Sequence, residues 1–144
     1  MATGGFSTED ASIGAFESRY VEYVVGIFVV LAGINFTLHY SALTGRWGAI
    51  RRNTELRVYL MLLAGATAAL TLMAWLPGRV EGFEPAFRAA FFQAASIMTT
   101  TGFATADYEL WLPAAQTLLF LLMLIGGCAG STSGSVKVLR HVLV

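Results

Sequence analysis

Charge is scarce in this sequence. Only 12% of its 144 residues are Asp, Glu, Lys or Arg, about half the ~25% that a water-soluble domain carries to cover its surface. The nine basic and nine acidic residues cancel. Bulk positive charge is therefore not available to hold a polyanion, and no nucleic-acid partner is expected. Cysteine occurs once, at Cys128, which rules out an internal disulfide. The two histidines, His39 and His141, are far apart, and no group of ligands has the spacing of a metal site. What the chain has in excess is apolar surface: 56% of it is hydrophobic and its mean hydropathy is +0.67. The lipid bilayer is the expected solvent, and no enzyme chemistry or cofactor is expected.

Long uncharged runs separate the charged clusters. The first extends from Tyr23 to about Leu43 and the second from Val58 to about Leu76; each has roughly 20 residues, enough for a helix to cross a ~30 Å hydrocarbon layer. The third starts at Leu110, but its apolar part, Leu112–Ile125, stops early and enters Gly126-Gly127-Cys128-Ala129-Gly130-Ser131-Thr132-Ser133-Gly134-Ser135, a poor helical sequence. A fourth stretch, Phe87–Met98, is opened by Glu84-Pro85 and is too short to span. The first 22 residues carry Glu9, Asp10, Glu17, Arg19 and Glu22, so no signal peptide is expected and the chain should begin outside the bilayer. Arg46, Arg51, Arg52 and Arg57 crowd the connection between the first two spans, and Lys137 and Arg140 follow the third. The positive-inside rule makes these ends cytoplasmic. Every acid except Glu55 falls on the other side. Phe87–Met98 must then enter and leave from outside, as a re-entrant half-helix.

An internal repeat locates the chemistry. Thr3-Gly4-Gly5-Phe6-Ser7-Thr8-Glu9-Asp10 matches Thr100-Thr101-Gly102-Phe103-Ala104-Thr105-Ala106-Asp107 at five of eight positions, and each copy precedes a span heading inward. Non-helical backbone at membrane depth must line a watery cavity or be buried in protein. In an extended turn the carbonyls of Thr99, Thr100, Thr101 and Gly102 can face one axis and replace the hydration of a cation. Gly102 permits the positive φ that this requires, and the half-helix directs its negative C-terminal end at the ion. No lysine or arginine occurs in either turn.

Four stretches, Gly4-Gly5-Phe6-Ser7-Thr8, Ala32-Gly33-Ile34-Asn35-Phe36, Thr99-Thr100-Thr101-Gly102-Phe103-Ala104-Thr105 and Gly126 to Gly134, together resemble the TrkH/KtrB/HKT potassium-transporter superfamily over essentially the whole chain. The resemblance implies an all-α membrane protein of helix–pore loop–helix repeats around a pseudo-fourfold pore, in which K⁺ passes as the transported ion. Residues 1–44 would be the end of one repeat with its second transmembrane helix, 45–57 a basic cytoplasmic linker, and 58–144 the complete following repeat. In that repeat 58–77 would be a transmembrane helix, 86–105 the pore half-helix and filter, and 112–144 a broken helix. By position, Thr3, Gly4, Gly5, Thr99, Thr100, Thr101 and Gly102 would form the selectivity filter, with K⁺ at Thr100, Thr101 and Gly102. Gly126, Gly127, Gly130, Ser131, Thr132, Ser133 and Gly134 would form the gate loop. A multi-pass location in the plasma (inner) membrane, a homodimer and a cytoplasmic nucleotide-binding regulatory subunit of the TrkA/KtrA kind are implied as well. The half-helix expected before Thr3 and the first and fourth pore loops are missing, as in a truncated start, and Ser135 stands where a glycine is common. Glycine at both filter positions resembles potassium-selective members.

Other readings compete at single features. A secondary transporter with a discontinuous helix would need an intramembrane ionisable group, and only His39 is available. A non-transporting scaffold would use the repeats for packing alone, and Gly126 and Gly130 have the spacing of close helix packing. No Gly-Lys-Ser/Thr makes the glycine-rich stretch a phosphate loop. Asn35 and His39 are expected to hydrogen-bond a neighbouring helix, Phe6 and Phe103 to brace the turns, Asp10 and Asp107 to cap turns. Glu55 is expected to pair in solvent with Arg51 and Arg52, and Cys128 to be a small buried residue.

Overall fold

The computed structural model describes residues 4–7, 12–16, 18–76, 82–106, 111–134 and 137–138. Thr3, Thr8, Asp10, Asp107, Ser135, Arg140 and His141 lie outside the described residues. After a 3-10 turn at Ser12–Phe16 come α1 (Arg19–Ala32), α2 (Phe36–Leu43), α3 (Trp47–Arg52), α4 (Thr54–Trp75), α5 (Phe83–Met98) and α6 (Pro113–Leu124). The fold is all-helical, as expected.

α4 is long and apolar enough to cross a membrane. Asn53 starts it by accepting the Leu56 N–H at 2.7 Å, the usual work of an N-cap side chain, so the helix begins ahead of the apolar run at Val58. Its inner stripe, Tyr59, Leu63, Ala66 and Leu70, is buried at helical spacing, while Leu60, Met61 and Leu72 on its flanks remain exposed. α5 packs mainly on α4, with further contacts to α1 and α6. Its inward face carries Ala86, Ala90, Ala94 and Ala95. Such small residues let helix backbones approach closely where lipid supplies no hydrophobic drive. Its outer face carries a ladder of Phe83, Phe87 and Phe91, stacked with ring centroids 6.2 Å apart at each step.

The run Tyr23–Leu43, expected to be one spanning helix, is two. α1 and α2 are bent by 103° at Gly33–Asn35. Two local features account for the break. The Asn35 side chain accepts the Thr37 N–H at 2.8 Å and so caps a new helix. Gly33 also lies so close to its surroundings that an added Cβ would sit 2.5 Å from the Tyr59 hydroxyl and 2.7 Å from Thr99 Cγ2. α6 ends at Leu124, where the apolar run was expected to stop.

At the other end of α1, the Glu22 carboxyl is buried and pairs with Arg88 of α5 at 2.6 Å. Arg88 also meets Glu84 at 3.2 Å, and Tyr23 donates to the same Glu84 oxygen at 3.2 Å. These contacts fix the start of α5 against α1. Close packing at the α1 break is equally specific. Gly33→Ala should therefore destabilise the protein by about 1–3 kcal/mol through overpacking, read as a lower midpoint in denaturant titration in detergent.

Candidate ion-conduction site

The segment after α5 turns back along its own helix. Thr99 and Thr100 complete a tight turn, with their N–H groups on Ala95 and Ile97 carbonyls at 3.0 Å each, and the Thr101 N–H reaches Ser96 O at 2.8 Å. From there the backbone leaves the helix. Thr100 has φ 55° and Gly102 φ 80°; the first is unusual for a β-branched residue and the second is ordinary for glycine. Side chains on one face of α5 hold the returning strand. Ser96 Oγ donates to Phe103 O at 2.6 Å, Gln93 Nε2 to Ala106 O at 2.9 Å, and the Thr99 and Thr101 hydroxyls lie 2.7 Å apart. Gln93, Ser96, Thr99 and Thr101 are all buried. Among the described residues no hydrogen bond ends on the carbonyl oxygens of Thr100, Thr101 or Gly102.

The structure brings the two copies of the repeat together. Gly5, at φ 68°, faces Gly102 so closely that an added Cβ would meet Thr101 O at 3.1 Å and Gly102 Cα at 3.4 Å. The turn that follows the first copy then pairs with the second: Gly14 N–H donates to Ala104 O at 3.2 Å, and Ala104 N–H donates to Ser12 Oγ at 3.3 Å. Gly4 is exposed beside this contact. Phe6 is 93% exposed, so it does not brace the turn as expected; the polar face of α5 braces the second turn from behind. Phe103 is half-buried and is held through its carbonyl. A cavity of about 720 Å³ has Thr100 and Gly102 on one wall and Leu119, Phe120 and Met123 of α6 on the other.

The glycine-rich stretch after α6 is not helical; Gly130 has φ 71°, which sets aside the helix-packing reading of Gly126 and Gly130. The stretch docks on the α1 break. Cys128 N–H donates to Gly33 O at 2.9 Å, Thr132 N–H to Ala32 O at 3.3 Å, and Phe36 N–H returns a bond to Gly130 O at 3.1 Å. Within the loop, Gly127 N–H donates to Ser133 Oγ at 2.7 Å and Ser131 Oγ to Cys128 O at 2.6 Å. Gly127 has no room for a side chain, since a Cβ would lie 2.7 Å from Gly33 O. Lys137 donates to the Ser133 carbonyl. The loop also reaches the returning strand, where Gly134 N–H donates to Thr100 Oγ1 at 2.7 Å. Cys128 is fully buried.

A sequence model described as cation transport protein, TrkH, matches residues 1–144. The chain belongs to the TrkH family of cation transport proteins. It is 38% identical to the Trk system potassium uptake protein TrkH of Halomonas elongata, over its whole length and 30% of that relative. It is also 38% identical to the protein of the same name from Escherichia coli, again over 30% of the relative. The crystal structure of the potassium transporter TrkH from Vibrio parahaemolyticus superposes with a TM-score of 0.89 at 35% identity, covering 99% of this chain and 31% of that one. The chain thus spans about a third of the length of the relatives it matches.

Several residues of this TrkH-family site were not singled out from sequence. Gln93 and Arg88 sit inside a stretch read as apolar; their polarity in a buried half-helix was the available signal. Tyr59 donates to Val30 O at 3.1 Å from a run that showed only hydropathy. Glu55 is a correction: it is 7% exposed and accepts the Ala129 N–H at 2.5 Å, rather than pairing with Arg51 and Arg52 in solvent. His39 of α2 bonds Leu31 O of α1 at 2.9 Å, across the bend rather than to a separate span. Ser96→Ala leaves the half-buried Phe103 carbonyl without its donor and should cost about 1 kcal/mol in the unfolding free energy of the protein, with Ser96→Thr recovering most of it.

Proposed function

We propose that the chain is part of a potassium-uptake transporter of the plasma membrane, with backbone carbonyls of two glycine-containing pore loops selecting the ion and a glycine- and serine-rich intramembrane loop gating it. The observation that carries this reading is the direct apposition of Gly5 and Gly102, both at positive φ, beside a strand whose Thr100, Thr101 and Gly102 oxygens accept no hydrogen bond among the described residues. Carbonyl dipoles of this kind can take the place of a cation's water shell. α5 adds the negative end of its dipole, because the strand begins where the helix stops. K⁺ is the ion carried by name in the relatives. The residues proposed to bind it are Thr3, Gly4, Gly5 and Thr99–Gly102, with the ion at Thr100, Thr101 and Gly102.

The gate in this proposal is Gly126–Gly134, packed beneath the filter strand through Thr100. Residues 45–57, which contain α3 and the first turn of α4, form the basic cytoplasmic linker, with the acidic loops outside. A homodimer and a cytoplasmic nucleotide-binding subunit of the TrkA/KtrA kind complete the assembly. A discontinuous helix that binds substrate is the reading that the α1–α2 break would favour. The carbonyls there are already engaged, Val30 O by Gly33 N–H and Tyr59, Leu31 O by Ile34 N–H and His39, Ala32 O by Thr132 and Gly33 O by Cys128, which leaves little for a substrate.

Gly102→Ser tests the filter. Serine places a Cβ 3.3 Å from Gly5 Cα at φ 80°, a backbone region that L side chains rarely adopt. The K⁺/Na⁺ permeability ratio of the complete transporter in proteoliposomes should fall toward unity. An unchanged ratio would refute the assignment.

A further inference from the structure

We propose that Glu55 is the positioning residue of the gate loop. The inference rests on the reading of 126–134 as the gate and adds the side chain that holds it shut. Glu55 lies in the first turn of α4, next to Arg51 and Arg52 at the end of α3 and Arg57 of α4, all of them exposed, and a carboxyl there would ordinarily remain in solvent. Instead it is buried and takes the Ala129 N–H at 2.5 Å. Ala129 sits at the turn of the loop, between Cys128, bonded to the α1 break, and Gly130, whose left-handed backbone carries the chain back.

The other bonds anchoring the loop from outside come from the frame, through the carbonyls of Ala32 and Gly33, the Phe36 N–H and the Thr100 hydroxyl, and from the chain just after the loop, where Lys137 reaches Ser133 O and the Val138 N–H reaches Gly127 O. Among the described residues, Glu55 is the group on the connection between spans that bonds the loop. The loop has no side chain of its own within the turn that replaces it, because the Ser131 and Ser133 hydroxyls bond Cys128 O and Gly127 N. Removing the carboxyl therefore strands a buried N–H at the turn of the loop and shifts it toward conformations in which that group reaches water.

The complete transporter, reconstituted without added regulatory subunit, supplies the test through two readouts. One is the rate of maleimide modification of Cys128, followed by mass spectrometry of its peptide; the thiol is fully buried and adjoins Ala129, so it reports loop release independently of transport. The other is K⁺ flux, with the K⁺/Na⁺ ratio measured alongside. Glu55→Ala should raise Cys128 modification roughly tenfold and raise K⁺ flux, with the ratio unchanged. Glu55→Gln keeps an acceptor oxygen and should stay near the native protein on both. Unchanged Cys128 modification in Glu55→Ala, or equal increases in the Ala and Gln variants, would overturn the role given to Glu55. Faster modification with unchanged flux would instead overturn the reading of the loop as the gate. Where Glu55→Ala does not fold, Glu55→Asp keeps the charge but shortens the reach; it should also speed Cys128 modification, and a native rate would overturn the proposal.

Discussion

A helix that stops inside a bilayer leaves up to four carbonyls without partners, and lipid offers none. The rest of this structure depends on how that problem is met at the end of α1. At the bend Val30 O and Leu31 O keep local bonds from the Gly33 and Ile34 N–H groups and gain the Tyr59 hydroxyl and the His39 ring, while Ala32 O and Gly33 O, which have no local N–H, are met by Thr132 and the Cys128 N–H. The last two partners belong to the glycine-rich loop after α6, which is non-helical from 126 to 134 and so needs partners for its own backbone as well. The bend supplies acceptors at Ala32 and Gly33 and a donor at Phe36, and the loop supplies the matching donors at Cys128 and Thr132 and the acceptor at Gly130. Neither segment is satisfied in this way without the other, which explains why residues about a hundred positions apart have to fit each other at glycine-only distances.

The same accounting explains α5. A half-helix that ends at membrane depth has to dispose of the strand that follows it, and Gln93, Ser96 and Thr99 do so from one helical face, bonding Ala106, Phe103 and Thr101 in turn. The bonds run progressively outward along the helix, so the strand must retrace it in the opposite direction. Re-entry is therefore written into polar side chains at i, i+3 spacing. Among the described residues, these bonds leave the oxygens of Thr100, Thr101 and Gly102 without a hydrogen bond, which is the feature the proposed filter uses.

Much of this was legible in the sequence where a feature depends on local chemistry. The length of the second apolar run gave α4, the early end of the third gave the loop after Leu124, and the repeat around Gly5 and Gly102 correctly announced a shared environment. The positive φ expected at Gly102 is present. The illegible parts depend on partners distant in sequence. Hydropathy passes smoothly through Gly33–Asn35, so the bend was hidden; it becomes necessary only when Tyr59, Thr99 and the loop crowd against Gly33. Glu55 was misread for the same reason. Its neighbours in sequence are arginines, whereas its neighbour in space is a backbone N–H seventy-four positions away. Phe6 was assigned to packing by its size, yet the first turn is held through Gly14 and Ser12 backbone and hydroxyl contacts that require no aromatic ring.

Thr100 joins the proposed filter to the proposed gate, and among the described residues it is, with Ser12, one of two non-glycine residues at positive φ. A β-branched residue at φ 55° carries strain of about 1–3 kcal/mol. The left-handed turn lets the backbone leave α5 and enter the returning strand, and it accompanies a hydroxyl placed to accept the Gly134 N–H. Glycine would relieve the strain and lose the hydroxyl. Threonine keeps the Gly134 contact at the expense of backbone comfort. The strained conformation is thus held from the helix side by the Ile97 carbonyl and from the loop side by Gly134. If the loop withdraws, one of those two supports is lost. The dihedral at Thr100 and the position of the loop are consequently coupled by a single hydrogen bond, so a rearrangement on either side changes the free energy of the other by the same amount.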